Sequence, residues 1–181
     1  MRNSSLGRIS QMRQTAIKYT LSLSLLFLAV AIIEVSLLSR WRILDAVPDV
    51  MLVTVVIVSF FLGRFTGAIA GIGAGVLIEA LGGNGISLLP VVYLLCGYLT
   101  GHYARAMVPR RFVAYLLYLG IALLARGVTT LTYAGMTYES FHLPSILLQL
   151  LLPEVLVTAI WGILLYLPVR RICRAVGGIE K

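Results

Sequence analysis

Five ionisable residues, Glu34, Asp49, Glu79, Arg126 and Glu154, lie within or at the start of stretches that are otherwise apolar. A charge held at mid-bilayer costs at least ~3 kcal/mol, so such residues are rarely kept without a role. Carboxylates near a single guanidinium attract it strongly in a low dielectric, and Arg126 is expected to pair with Glu79 or Glu154. Three roles stand open for the set. It can be an internal ion pair that fixes helix packing, with the remaining carboxylates reaching the surface. It can be a polar pocket open to the periplasmic side, for a ligand or a partner segment. It can be a proton relay, for which one arginine among scattered carboxylates is weak support.

Other chemistry has no residues to carry it. No serine has a partner histidine near a strand-turn-helix elbow. Gly71, Gly73 and Gly75 are followed by Val76 and Leu77 inside an apolar run, which excludes a phosphate-cradling loop. His102 and His142 form no metal set with nearby Cys or Asp, and Cys96 and Cys173 show neither a disulfide framework nor metal spacing. The chain is expected to be no enzyme and to hold no cofactor or metal.

These residues must be positioned by membrane helices. The 181-residue chain is 60% apolar and 12% charged, with a mean hydropathy of +0.98. A soluble domain is about a quarter charged, so a water-facing surface cannot be built. This excludes a soluble enzyme or a nucleic-acid-binding domain despite the net charge of +8, and it excludes disorder. A crossing helix needs about 20 apolar residues. Six stretches approach this: Ile17 to Leu38, Pro48 to Leu62, Phe65 to Leu81, Ile86 to Tyr103, Phe112 to Tyr133 and Ile146 to Pro168. The second is short, and its tight join at Gly63 and Arg64 also allows one bent hairpin. The expected fold is an all-α integral membrane protein of six transmembrane helices over residues 17–169. Basic cytoplasmic tails cover 1–16 and 170–181.

Charge gives the orientation. With the N-terminus inside, Arg2, Arg8, Arg13, Lys18, Arg64, Arg105, Arg110, Arg111, Arg170, Arg171, Arg174 and Lys181 are cytoplasmic, against Arg40 and Arg42 outside. Positive residues mark the inner face, so both termini are cytoplasmic. Odd helices then run outward and even ones inward, which brings all five ionisable residues into the outer half. The first apolar run is too long for a signal core and no small-residue cleavage site follows it, so it is expected to stay as a helix.

Gly67, Gly71 and Gly75 recur every four residues, and Gly97 with Gly101 repeats the device in the next helix. Such faces admit a close backbone, either within this bundle or from another protein. Pro48 is expected to open the second helix. Pro90 and Pro153 should kink their helices or break the first turn, with Pro153–Glu154 a candidate unwound point. Tyr19, Trp41, Tyr103, Phe112 and Tyr166 fall near span ends, as interfacial aromatics do.

A family resemblance emerges from the order of several runs. Val47-Pro48-Asp49-Val50-Met51-Leu52, the Gly-rich third helix, Leu77-Ile78-Glu79-Ala80-Leu81, Gly85-Ile86-Ser87, Leu94-Leu95-Cys96-Gly97-Tyr98 and Leu167-Pro168-Val169-Arg170-Arg171 together resemble MreD, the rod-shape-determining membrane protein family. The family usually has Asp where this chain has Glu79. The resemblance covers about Pro48 to Arg171. It implies a non-enzymatic scaffold of bacterial cell-wall elongation in the inner membrane. The implied partners are MreC, the peptidoglycan polymerase and transpeptidase, and the nearby MreB filaments, with no nucleic acid. MreD is similar in architecture to the substrate-binding subunits of energy-coupling-factor vitamin transporters. A vitamin-binding subunit is therefore the alternative. Its pocket wants aromatic and polar residues converging from loops. Here the outer loops are short, the longest offering Tyr133, Tyr138, Glu139, Phe141 and His142, which mildly favours the scaffold.

Overall fold

The computed structural model describes residues 20–38, 48–82, 88–106, 112–137 and 152–177, and nearly all of them are helical. Helix α1 (residues 20–33) widens into a π-helical turn at Glu34–Leu38. It is followed by α2 (Val50–Leu62), α3 (Arg64–Gly82), α4 (Leu89–Ala106), α5 (Phe112–Thr137) and α6 (Leu152–Gly177). Three stretches, Arg64–Leu81, Phe112–Thr132 and Leu152–Cys173, are long and apolar enough to cross a membrane. Thr20–Ser36 and Val50–Leu62 are apolar but shorter. The outward side chains include Phe65, Ile69, Val113, Leu124 and Ile160, all more than 60% exposed. A surface of this kind has lipid as its solvent, and the chain is a membrane protein.

Helix α2 is the centre of the molecule. Its sequence, VMLVTVVIVSFFL, is rich in β-branched residues that favour strands in water. Away from water, each backbone group must find a partner within its own segment, and that makes it a helix. It has no polar face, so all sides are buried: Val50 to Phe61 are each at most 4% exposed. Its two hydroxyls fold back on the preceding turn, Thr54 Oγ1 donating to Val50 O at 3.0 Å and Ser59 Oγ to Val55 O at 2.6 Å. At 13 residues it is about 20 Å long, well short of the ~30 Å hydrocarbon core.

Paired contacts give the directions. Gly67 lies against Gly97, Gly71 against Tyr93 and Gly75 against Pro90, so α3 and α4 are antiparallel. Asp49 meets Thr158 and Phe61 meets Tyr166, so α2 and α6 are parallel. Phe112 touches Tyr166 while Arg126 reaches Glu154, so α5 opposes α6. Helices α3 and α4, and likewise α5 and α6, therefore run in opposite directions, while α2 and α6 run the same way.

The five face glycines are all used inside the chain. A Cβ on Gly67 would stand 2.6 Å from Gly97 O, and one on Gly101 would stand 2.5 Å from Arg64 N. On Gly71, Gly75 and Gly97 it would fall onto the Tyr93 carbonyl, the Pro90 backbone and the Gly67 carbonyl respectively. No side chain fits at any of them, and among the described residues α3 and α4 form the most extensive helix pair.

Helices α2 and α3 are separate elements, joined through Gly63 at φ 94° and ψ −179°. Its N–H donates to Ser59 O and its carbonyl accepts from Gly67 N, each at 2.9 Å. This backbone region is open essentially to glycine alone. Gly63→Ala is expected to destabilise the protein by ~1–3 kcal/mol, seen as a lower melting midpoint of the detergent-extracted protein.

The prolines sit differently from expectation. Helix α2 starts at Val50 with Asp49 as its N-cap, so Pro48 lies just before the cap rather than at the first helical position. Pro90 and Pro153 are each the second residue of a helix, where a missing N–H has no partner to lose. Glu154 follows in regular helix, with no unwound point. Pro168 is the internal one, and α6 runs through it to Gly177, so that Arg170 and Arg171 are helical. Tyr166 is not an interfacial aromatic but is buried at 4% exposure. Tyr19, Trp41 and the outer-loop residues Tyr138, Glu139, Phe141 and His142 lie outside the described residues, as does the side chain of Tyr133.

Candidate functional site

The N-terminus of α2 lies inside the bundle and presents backbone N–H groups that the helix itself cannot satisfy. In a membrane interior each such group costs several kcal/mol when left unpaired. Side chains from the surrounding helices supply the acceptors. Asp49 Oδ1 accepts from Leu52 N at 2.9 Å, the N-cap bond. Glu34, on the π-helical turn that ends α1, accepts from Met51 N through Oε2 at 2.6 Å. Thr158 Oγ1 of α6 accepts from Asp49 N at 3.1 Å. Negative charge at this point also complements the positive end of the helix dipole.

The carboxylates then need a cation. Arg126 Nε of α5 donates to Asp49 Oδ2 at 3.0 Å and lies 3.7 Å from Glu154 Oε1 of α6. The Tyr93 hydroxyl of α4 donates to Asp49 Oδ1. Asp49, itself 4% exposed, thus takes donors from its own helix, from α4 and from α5, while its N–H is held by α6. With Glu34 bonded to Met51, the node ties together α1, α2, α4, α5 and α6. Its outer side is more open: the Arg126 and Glu154 side chains are 25% and 17% exposed.

Of the five ionisable residues picked out in the sequence, Glu34, Asp49, Arg126 and Glu154 come together and Glu79 does not. Glu79 is half-buried towards the end of α3 and makes no ion pair with Arg126. The expected pairing of Arg126 with Glu79 or Glu154 is therefore corrected. Asp49 is its near partner and Glu154 its distant one, because the cap of a buried helix end brings Asp49 to the bundle axis. Tyr93 and Thr158 belong to the node and were not singled out. Neither residue stands out in its apolar run.

Chemically the node is a closed hydrogen-bond and ion-pair network built on one helix end. Among the described residues, none of its buried side-chain polar atoms lacks a partner. Compared with family models, curated proteins and solved structures, the chain matches none.

Proposed function

We propose that this protein is a non-enzymatic membrane scaffold of the MreD kind, acting in bacterial cell-wall elongation. The observation that carries the proposal is the position of the run Pro48-Asp49-Val50-Met51-Leu52, the first of those on which the resemblance rests. It forms the buried start of α2, and Asp49 within it is bonded to α4, α5 and α6. A rigid bundle locked through its axis suits a part that presents fixed outer faces to other membrane proteins. We infer that all six helices are membrane-embedded, with α2 as a short central helix, in an arrangement similar to energy-coupling-factor substrate-binding subunits. The alternation of helix directions supports an even number of passes with both termini on one side. The basic residues at that side make it the cytoplasmic face of the inner membrane. MreC, the peptidoglycan polymerase and transpeptidase, and MreB filaments are the partners this assignment names.

One observation favours the alternative of a vitamin-binding transporter subunit: Arg126 and Glu154 keep partial exposure, so the node can be reached from the outer end. Mild detergent extraction of a tagged copy from its native membrane, followed by mass spectrometry, separates the two. Recovery of MreC or a cell-wall polymerase is expected. Recovery of ATPase subunits, or of a tightly held vitamin, would overturn the scaffold assignment.

A further inference from the structure

The end of the bundle opposite Asp49 is aromatic and basic. Phe61 of α2, Phe112 and Tyr115 of α5 and Tyr166 of α6 form one connected cluster. Their ring centroids lie 6.1 Å (Phe61–Tyr166), 4.9 Å (Phe112–Tyr166) and 4.8 Å (Tyr115–Tyr166) apart. Arg170, one turn beyond Tyr166, places its Cζ 5.6 Å from the Tyr166 centroid and 6.0 Å from that of Phe61. With those two rings 6.1 Å apart, the guanidinium is the third corner of a near-equilateral triangle. It abuts the ring pair and is not sandwiched by it.

Cation–π contact satisfies the face of a guanidinium and leaves its in-plane N–H donors unmet. Arg170 Nε is such a donor: it is buried and has no hydrogen-bond partner among the described residues. A buried charged donor in this condition is costly. The described carboxylates are at the wrong end. Glu34, Asp49 and Glu154 belong to the node, Glu79 lies in the outer part of α3, and Glu154 is about 24 Å from Arg170 along α6. The near neighbours are of like charge, with Arg171 next in sequence and Arg64 three residues after Phe61, both exposed. Among the described residues, no acceptor meets this guanidinium.

The same face of α6 indicates which anion. Ile163, Leu167 and Arg170 follow one another at spacings of four and three, so they line one stripe, and Ile163 and Leu167 are 52% and 60% exposed. An apolar track leading to an unmet guanidinium matches an acyl chain leading to a phosphate. We propose that Arg170 anchors a site for the phosphate of an anionic phospholipid headgroup, where α2, α5 and α6 reach the membrane surface. The phosphate accepts from the terminal N–H groups of the half-buried Arg170, Arg64 and Arg171 add longer-range attraction, and the acyl chain lies along Leu167 and Ile163. This assignment does not depend on the scaffold function.

The test uses the full chain in mild detergent, with added phosphatidylglycerol or phosphatidylcholine, reading retained lipid by native mass spectrometry and the melting midpoint by light scattering. Phosphatidylglycerol is expected to be retained and to raise the midpoint, phosphatidylcholine to do neither, and inorganic phosphate to leave the bound lipid in place. R170Q should weaken phosphatidylglycerol retention roughly tenfold, the worth of one charge-assisted hydrogen bond, and R171Q should leave it unchanged. Equal retention of both lipids overturns the site. Equal losses in R170Q and R171Q reduce it to diffuse charge, and displacement by inorganic phosphate makes it a site for a free anion; either result overturns the proposal. If R170Q does not fold, R170K keeps the charge without the planar fork and is expected to bind several-fold more weakly. The comparisons on the unaltered chain need no variant at all.

Discussion

Asp49→Leu is expected to lower the apparent melting midpoint of the extracted protein by roughly 6–20 °C. The substitution removes the acceptor for the Leu52 N–H, the acceptor for the Tyr93 hydroxyl and the near carboxylate of Arg126. Removing one member of a buried ion pair costs ~3–5 kcal/mol because its partner stays behind as an uncompensated charge, and 1 kcal/mol shifts the midpoint of a chain this long by ~2–4 °C. The conservative series gives the order of effects. Asp49→Asn retains one oxygen to cap the helix and to accept from Tyr93, and should sit between Asp49→Leu and the parent. Glu154→Gln should have the least effect, since its oxygen is 3.7 Å from Arg126 and its side chain is partly exposed. Fluorescence-detected size exclusion after graded heating measures all three. Equal midpoints for Asp49→Leu and Glu154→Gln would show that Asp49 is not the centre of the network.

The second large effect is expected at Gly71. A leucine there drives side-chain atoms into the Tyr93 carbonyl, a backbone group that can yield only if α4 moves bodily away from α3. Overpacking in a well-packed core costs ~1–3 kcal/mol when side chains can adjust, and more when they cannot. The damage also spreads, because Tyr93 is the residue whose hydroxyl reaches Asp49. Displacing α4 withdraws that donor, so Gly71→Leu is expected to abolish the monodisperse folded species and not merely to shift its midpoint. Gly73→Leu is the matched control on the same helix. Nothing lies within 4 Å of its added Cβ, and it should be near neutral. If both variants elute as the parent does, the α3–α4 contact is not what these glycines are for.

That Glu34, Asp49, Arg126 and Glu154 share one level of the bundle was legible in the sequence, and direction around each helix was not. Read as alternating helices, the arginine pattern puts Glu34, Asp49, Glu79, Arg126 and Glu154 at one level, and all of them but Glu79 meet in the structure. Which of them touch depends on which helix is central. That role belongs to α2, whose uniform run of Val, Ile and Phe carries no amphipathic signal to say which neighbour lies on which side. Arg126 therefore looked equally free to meet Glu79 or Glu154, and its bond to Asp49 came from the cap. Tyr93 and Thr158 were hidden for a related reason. A hydroxyl inside an apolar run resembles any other helix residue until a partner is opposite it. The glycines were legible as close-contact faces but not as to their partner. Gly63 was legible as a boundary, and its positive φ explains why two helices meet there with almost no loop.

The central position of α2 also has a consequence for how the protein is made. Asp49 and Thr158 are 109 positions apart, and Arg126 is 77 positions beyond Asp49. At synthesis rates of ~5–20 residues per second, the cap of α2 waits roughly 5–20 s on the ribosome for the residues that complete it. During that interval α2 has a buried-type surface with no lipid face, a polar end with half its partners unborn, and too little length to cross by itself. Its early companion is α3, one residue away through Gly63. The hairpin of α2 and α3 is thus the unit that must be received and sheltered in the membrane until α5 and α6 arrive.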